Sequence, residues 1–323
     1  MSQRMSEPWE TALSPTGRPG AARRAEVLRA EVLGWTPPTT AAPPRPRAAA
    51  RRARGLITEL DLDAADGPPI VLPEPSEVLA LVRLHRRTLG VLDLRVPAGT
   101  ILPAELRRAA VMQFGAAIAE HVRRDRESAG PPWRILDPAP ACFQRRAEVL
   151  ADPPPISVIV GAHWHPAGLE RCLASLAALD YPVHEALVVD RGPHTRAVRQ
   201  VVERADGRVR YLHCARPGVV AAHRLGAAAA DGRILAFTDD GSVADRDWLA
   251  AIAEAFADTG VGLATGLVMP TWAGRPGSVP NLACTAEDFA QHGSARSKRR
   301  TVYVPDALVW YEARARARIE AAG

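Results

Sequence analysis

One apolar strand ending in two aspartates constrains this chain more than any other feature. The segment Arg233-Ile234-Leu235-Ala236-Phe237-Thr238 runs directly into Asp239-Asp240. Upstream, Ala186-Leu187-Val188-Val189 runs into Asp190 in the same way, and Ile156-Ser157-Val158-Ile159-Val160 runs into Gly161-Ala162. Short apolar runs separated by helical patterns predict parallel strands of an α/β sheet. Such sheets bind ligands beyond the carboxyl ends of their strands. Acidic residues at two of those ends are therefore expected to face one crevice. Crowded carboxylates repel unless a cation sits between them or a donor-rich ligand contacts them.

Helical patterns fill the gaps. Gly168 to Leu179 turns Leu169, Leu173, Leu176 and Leu179 inward, and Thr195 to Ala205 follows. Val219 to Ala230 is a small-residue helix suited to close packing on a sheet. Asp247 to Asp258 turns Trp248, Ile252 and Phe256 inward, and strands are read at 209–212 and 261–268. The alternation predicts a doubly wound, mostly parallel α/β sheet over 156–270.

Ahead of it, 77–84 and 90–96 read as two antiparallel strands linked by His85 to Leu89. Pro103 opens a helix to about Arg126, with Leu106, Ala110, Phe114, Ala117 and His121 on one face. Residues 56–130 are thus a small α+β module. Prolines at 131, 132, 138, 140 and 153–155 predict a semi-rigid linker over 131–155. Residues 1–55 are rich in Arg, Pro and Ala and poor in large apolar residues, so a disordered tail is expected. Arginine supplies nearly all the basic charge, Lys298 being the only lysine. The tail's charge serves solubility or an electrostatic hold on anionic lipid, a peripheral membrane contact.

No apolar run is long enough to span a bilayer and no secretory segment follows the start. The expected location is the cytosol or the inner membrane face. Four scattered cysteines, Cys142, Cys172, Cys214 and Cys284, form no C-x-x-C pair, which argues against a zinc knuckle or disulfide framework. Basic residues concentrate in the tail without interleaved aromatics, so nucleic acid is not an expected partner.

The order of these pieces resembles the family-2 glycosyltransferases of GT-A fold. "ISVIVGAHWHPAGLERCLASLAALDYP" (156–182) is similar to that family's opening strand, loop and first helix. "ALVVDRGP" (186–193) is similar to its second strand, and "RPGVVAAHRLGAAAADGRILAFTDD" (216–240) to the helix leading into its metal-site strand. The resemblance implies sugar transfer from a nucleotide-diphosphate donor to a sugar or lipid-linked acceptor, by an inverting, metal-dependent route. It implies Mg or Mn, with Asp240 as ligand and Asp239 as second ligand or ribose contact, the two being exchangeable. It also implies Asp190 at the nucleotide base, Gly161 and His163 in the nucleotide loop with Trp164, and Arg216 or Arg224 at the diphosphate. Structural readings stand beside these: helix capping for Asp239-Asp240, turn chemistry before Gly192 for Asp190, and exposed helix positions for the arginines.

Three departures matter. Gly241 stands where many relatives carry another acid, and Arg224 replaces their usual asparagine. The chain ends about 80 residues after Asp240, so 271–323 is expected to be a short acceptor-side remainder. Within it Glu287-Asp288 is the acidic pair available as a base, and the Ala-Arg repeat at 313–318 reads as a fraying helix. A non-catalytic nucleotide-binding relative or scaffold is the alternative. A nucleotidyltransferase is the third reading, although "GAHWHP" lacks the glycine-rich basic phosphate loop.

Overall fold

The computed structural model describes residues 55–64, 67–128, 140–163, 165–182, 184–192, 196–205, 209–216, 218–270 and 280–311. The tail, the prolines of 131–139, Trp164 and the Ala-Arg repeat lie outside the described residues. Two units divide at Leu136 and Asp137.

In the first unit, β1 (Gly55–Asp61), β3 (Ser76–Leu84) and β4 (Arg87–Val96) form a sheet in the order β1-β3-β4. β1 pairs parallel to β3, and β3 with β4 is the expected antiparallel hairpin. β2 (Ile70–Leu72) and β5 (Gly99–Ile101) make a separate antiparallel pair. The hairpin is tighter than expected. Its link is only His85 and Arg86, with φ of 52° and 60°. Two left-handed residues match the twist of a two-residue hairpin turn, which usually recruits Asn-Gly. His-Arg carries no such signal. Helix α1 (Pro103–Ser128) lays Leu106, Ala109 and Ala110 against Leu60, Val78, Ala80, Val82 and Leu92. Ala117, expected on this face, is exposed; Ile118 takes the half-buried position instead.

The second unit starts with α2 (Ala141–Ala151), inside the segment expected to be a linker. Arg146 explains its docking. Its buried guanidinium lies 2.9 Å from Asp247, 3.6 Å from Glu254 and 3.8 Å from Asp306. Proline content gave the linker reading, and a long-range buried ion cluster overrode it.

Next come β6 (Ile156–Ala162), α3 (Pro166–Ala177), β7 (His184–Asp190), α4 (Arg196–Arg204), β8 (Val209–His213), α5 (Val219–Ala229) and β9 (Ile234–Asp239). β10 (Ser242–Ala244), α6 (Trp248–Phe256), β11 (Val261–Pro270), β12 (Leu282–Thr285), α7 (Ala286–His292) and β13 (Arg300–Tyr311) complete the unit. One eight-stranded sheet runs β10-β13-β11-β12-β9-β6-β7-β8. The β9-β6-β7-β8 block is parallel throughout, as the sequence predicts. β12 then pairs antiparallel with both β9 and β11.

The core is built on β6, every residue of which is buried. Leu169, Cys172, Leu173 and Leu176 of α3 and Trp248, Leu249 and Ile252 of α6 pack on the sheet. Buried Asn281 is satisfied: it accepts from Trp248 Nε1 at 2.9 Å and donates to the carbonyls of Leu267 and Ala307 at 2.8 and 2.7 Å. That one side chain ties the joint between β11, β13 and α6. Helix α5 lies close on the opposite face, as its alanines predict. A Cβ on Gly226 would come within 2.6 Å of Ile159 Cγ2, so only glycine fits. Among the described residues, no helix is long and apolar enough to cross a membrane.

Candidate functional site

The chain lays down β6, then β7 and β8 to one side, then returns to place β9 on the other. Strand order therefore reverses between β6 and β9, and a crevice opens beyond their carboxyl ends. The main-chain N–H of Asp240 donates to the Gly161 carbonyl at 3.1 Å. In return, the His163 N–H donates to Asp240 Oδ2 at 2.6 Å. Asp240 is 1% exposed. Half-buried Asp239 accepts on Oδ1 from the Gly241 N–H and the Ser242 hydroxyl, both at 3.0 Å, and so shapes the turn into β10.

Helix α3 begins beside this pair. A Cβ on Gly168 would collide with the Asp240 carbonyl and with His165 Nδ1, so glycine is needed for the first turn of α3 to approach. The positive end of the helix dipole consequently faces the crevice. His165 Nδ1 is buried with no hydrogen-bond partner among the described residues. Gly161 has a different use. A side chain there would meet only the Thr238 carbonyl, at 3.8 Å, so glycine keeps the crevice floor open rather than relieving a clash.

Asp239 and Asp190 share one end of the sheet but not one face. Register sets Asp239 level with Gly161, and Asp190 level with Ala162. Strand side chains alternate, so Asp239 falls with Phe237 and Asp190 falls with Val188 on the other face. Asp190 is fully buried, with Oδ1 accepting from the Gly192 N–H at 2.9 Å and Oδ2 from the Tyr211 hydroxyl at 3.0 Å. The two strand-end aspartates Asp190 and Asp239 thus take opposite faces, while Asp240, one residue on from Asp239, follows in the turn beside Ala162. Asp190 makes the turn its sequence context also allowed.

Arg191, the next residue, lies close enough for its charge to act on His223. Its N–H donates to the Ala162 carbonyl at 3.1 Å, and its Nε is buried with no hydrogen-bond partner among the described residues. Burial, and secondly the Arg191 charge, lower His223 to a pKa of about 4. His223 packs on Phe237 at 4.6 Å between ring centroids, and Phe237 stacks on Phe289. Arg191 stands directly after a strand-end aspartate in the sequence, a position that could have flagged it.

The remaining expected residues lie elsewhere. Arg224 donates from Nε to the Gly293 carbonyl at 2.8 Å, and Arg216 is exposed. Glu287 and Asp288 open α7, and the ladder sets them far from Asp240: Thr285 pairs with Ile234, at the opposite end of β9. Six strand residues separate those ends, about 20 Å. Asp288 is buried against the N-cap, Thr285, of α7. Its N–H donates to Thr285 Oγ1 at 3.0 Å, while its carboxylate accepts from Thr285 Oγ1 at 2.8 Å and Ser297 Oγ at 3.1 Å. Exposed Glu287 pairs with Arg299 at 3.1 Å. This placement does not bring the expected base to the crevice.

The donor set suits a divalent cation with a phosphorylated ligand. Asp239 and Asp240 are adjacent hard oxygen donors. Their charges reach Cys172, whose thiol is held far above its ordinary range, by burial first and then by Asp239 and Asp240. The Arg191 guanidinium and the α3 N-terminus supply the positive side.

Residues 157–280 match the family described as Glycosyl transferase family 2. No curated protein matches the sequence. Among solved structures, a mannosyltransferase from Pyrobaculum calidifontis in complex with GDP-Man and Mn2+ is similar at 20% identity and a TM-score of 0.43. The match covers 55% of this chain and 65% of that one, so the chain spans just under two thirds of its length. The family match over residues 157–280 thus takes in the crevice and both of its aspartates.

Proposed function

We propose that this chain transfers a sugar from a nucleotide-diphosphate donor to a sugar or lipid-linked acceptor, at the crevice between β6 and β9. The observation that carries the reading is Asp240, a buried carboxylate fixed at the point of strand reversal by the His163 N–H. Asp240 and Asp239 would hold Mg or Mn. Bound there, the ion supplies Lewis-acid stabilisation of the leaving diphosphate.

The chain's own groups supply the rest. Arg191 and the N-terminal turn of α3 offset phosphate charge. His223 stays neutral at pH 7, so it takes part as a hydrogen-bonding group without adding charge. Asp190 acts on the nucleotide side by fixing Gly192 and Tyr211. Gly161 leaves room for the ligand. The proposed displacement is inverting, with the acceptor hydroxyl attacking opposite the diphosphate.

Calorimetric titration of UDP and GDP, with and without Mn2+, tests the reading. Metal-dependent binding that Asp240→Asn weakens supports it, and absence of binding to either nucleotide refutes it. A second reading, a nucleotide-binding module without transfer, is favoured by one observation: Glu287 and Asp288 sit at the far end of β9. Metal-dependent diphosphate binding without hydrolysis or transfer from any donor supports that reading.

A further inference from the structure

We propose that His85, His121 and Asp125 of the first unit form a second metal site, one that takes Zn2+ or a similar first-row divalent ion. His85 sits at the tip of the β3–β4 hairpin. His121 and Asp125 lie one helical turn apart on α1. His85 Nδ1 is 3.3 Å from Asp125 Oδ2 and 3.2 Å from His121 Nε2, and His121 Nε2 is 3.4 Å from Asp125 Oδ2. The three donor atoms thus form a nearly equilateral triangle. Ligands about 2.05 Å from a tetrahedral zinc stand about 3.3 Å from one another. The triangle is one face of that tetrahedron.

The three edges of this triangle cannot all be well-aligned hydrogen bonds at once. A neutral ring nitrogen carries at most one proton, and a proton aimed along one edge points about 60° away from the other, whereas good hydrogen bonds are nearly linear. Lone pairs that converge on one centre are what a cation needs. The rings are tilted by 53° with centroids 5.3 Å apart, so they approach edge-on rather than stacked. The side chains are only 22%, 14% and 10% exposed. His85 is held in place by an unusual backbone: its φ is 52°, and its N–H is fixed on Asp63 Oδ1 at 3.1 Å. Left-handed geometry in a non-glycine residue persists where the surroundings impose it.

Two imidazoles and one carboxylate select borderline metals over Mg2+ or Ca2+, which prefer oxygen alone. The site therefore differs in chemistry from the Asp239-Asp240 pair. A bound ion would clip the hairpin tip to α1.

The test uses the full chain, stripped with a chelator, without nucleotide. Zn2+ is titrated by calorimetry into wild type, His121→Ala, Asp125→Asn and Asp240→Asn, and Co2+ absorption reports the coordination geometry. Wild type and Asp240→Asn are expected to bind one Zn2+ tightly. His121→Ala and Asp125→Asn should lose affinity by about a hundredfold or more, the upper scale for damage to a metal shell. Thermal unfolding guards against misfolding. In chelator, Asp125→Asn should melt with wild type, and Zn2+ should raise only wild type. No Zn2+ uptake by wild type, or equal affinity in wild type and both ligand variants, marks a hydrogen-bonded cluster and overturns the proposal.

Discussion

Asp240 Oδ2 accepts a 2.6 Å hydrogen bond from the main-chain N–H of His163, joining the end of β9 to the loop after β6. Asp240 returns the contact through its own N–H to Gly161. The carboxylate therefore has two duties. It closes the strand reversal mechanically, and it brings negative charge to the crevice beyond the ends of β6 and β9.

Asp240→Asn separates those duties. Asparagine keeps an oxygen to accept from His163 but carries no charge. Metal-dependent nucleotide affinity should fall by about tenfold or more, with stability nearly unchanged. Asp240→Ala also strands the His163 N–H, which costs about 1–3 kcal/mol. Calorimetry and urea unfolding of both variants check the contrast.

Arg191 should matter more than either arginine read from the sequence. Arg191→Ala is expected to weaken UDP or GDP binding by roughly 10- to 100-fold, the scale of about 1.5–3 kcal/mol for a lost charged hydrogen bond. Arg224→Ala should have a smaller effect, since that guanidinium serves the Gly293 carbonyl. Equal losses in the two variants would count against this arrangement.

His223 predicts an acid-side loss of stability. Its folded pKa of about 4 lies below the ordinary 6.5. Between those values the unfolded chain binds the proton and the folded chain does not, so stability rises with pH. The contribution is fully present above 6.5 and is lost as pH falls toward 4, with a slope of at most about 1.4 kcal/mol per pH unit. Urea midpoints at pH 7 and 5 should converge in His223→Gln relative to wild type.

Arg146 should be costly to remove. Arg146→Ala leaves Asp247 buried without its 2.9 Å partner, and losing one member of a buried pair costs about 3–5 kcal/mol. Denaturant unfolding measures it. Truncating the chain before residue 156 should destabilise the second unit in the same way.

Asp288→Asn is expected to show up in stability, by about 1 kcal/mol, and Thr285→Ala likewise, because the two side chains hydrogen-bond each other at the N-cap of α7. Turnover measured per folded molecule should be unchanged. A drop of about 10²-fold per folded molecule would restore the base role.

The sequence alone determined the parallel block. The apolar runs ending at Ala162, Asp190 and Asp239 are continuous, since strands buried on both faces must be apolar throughout. It also determined α3 and α6, whose inward residues recur at helical spacing, and the small-residue helix α5, whose Ala222 and Gly226 are buried. Other features depended on partners distant in the chain. Helix α2 was hidden because proline composition is local, while the acids around Arg146 come from α6 and β13. Strand β13 was hidden because Pro305 interrupts it, and only the ladder with β11 shows the bulge that accommodates the proline. The site divides in the same way. Residue type and strand position made Asp239 and Asp240 legible, but alternation across paired strands decided that Asp190 and Asp239 take opposite faces. Register likewise decided that Glu287 and Asp288 start at the far end of β9. Sequence spacing gives the order of residues along the chain; which end and which face of a sheet they occupy is fixed only when strands pair.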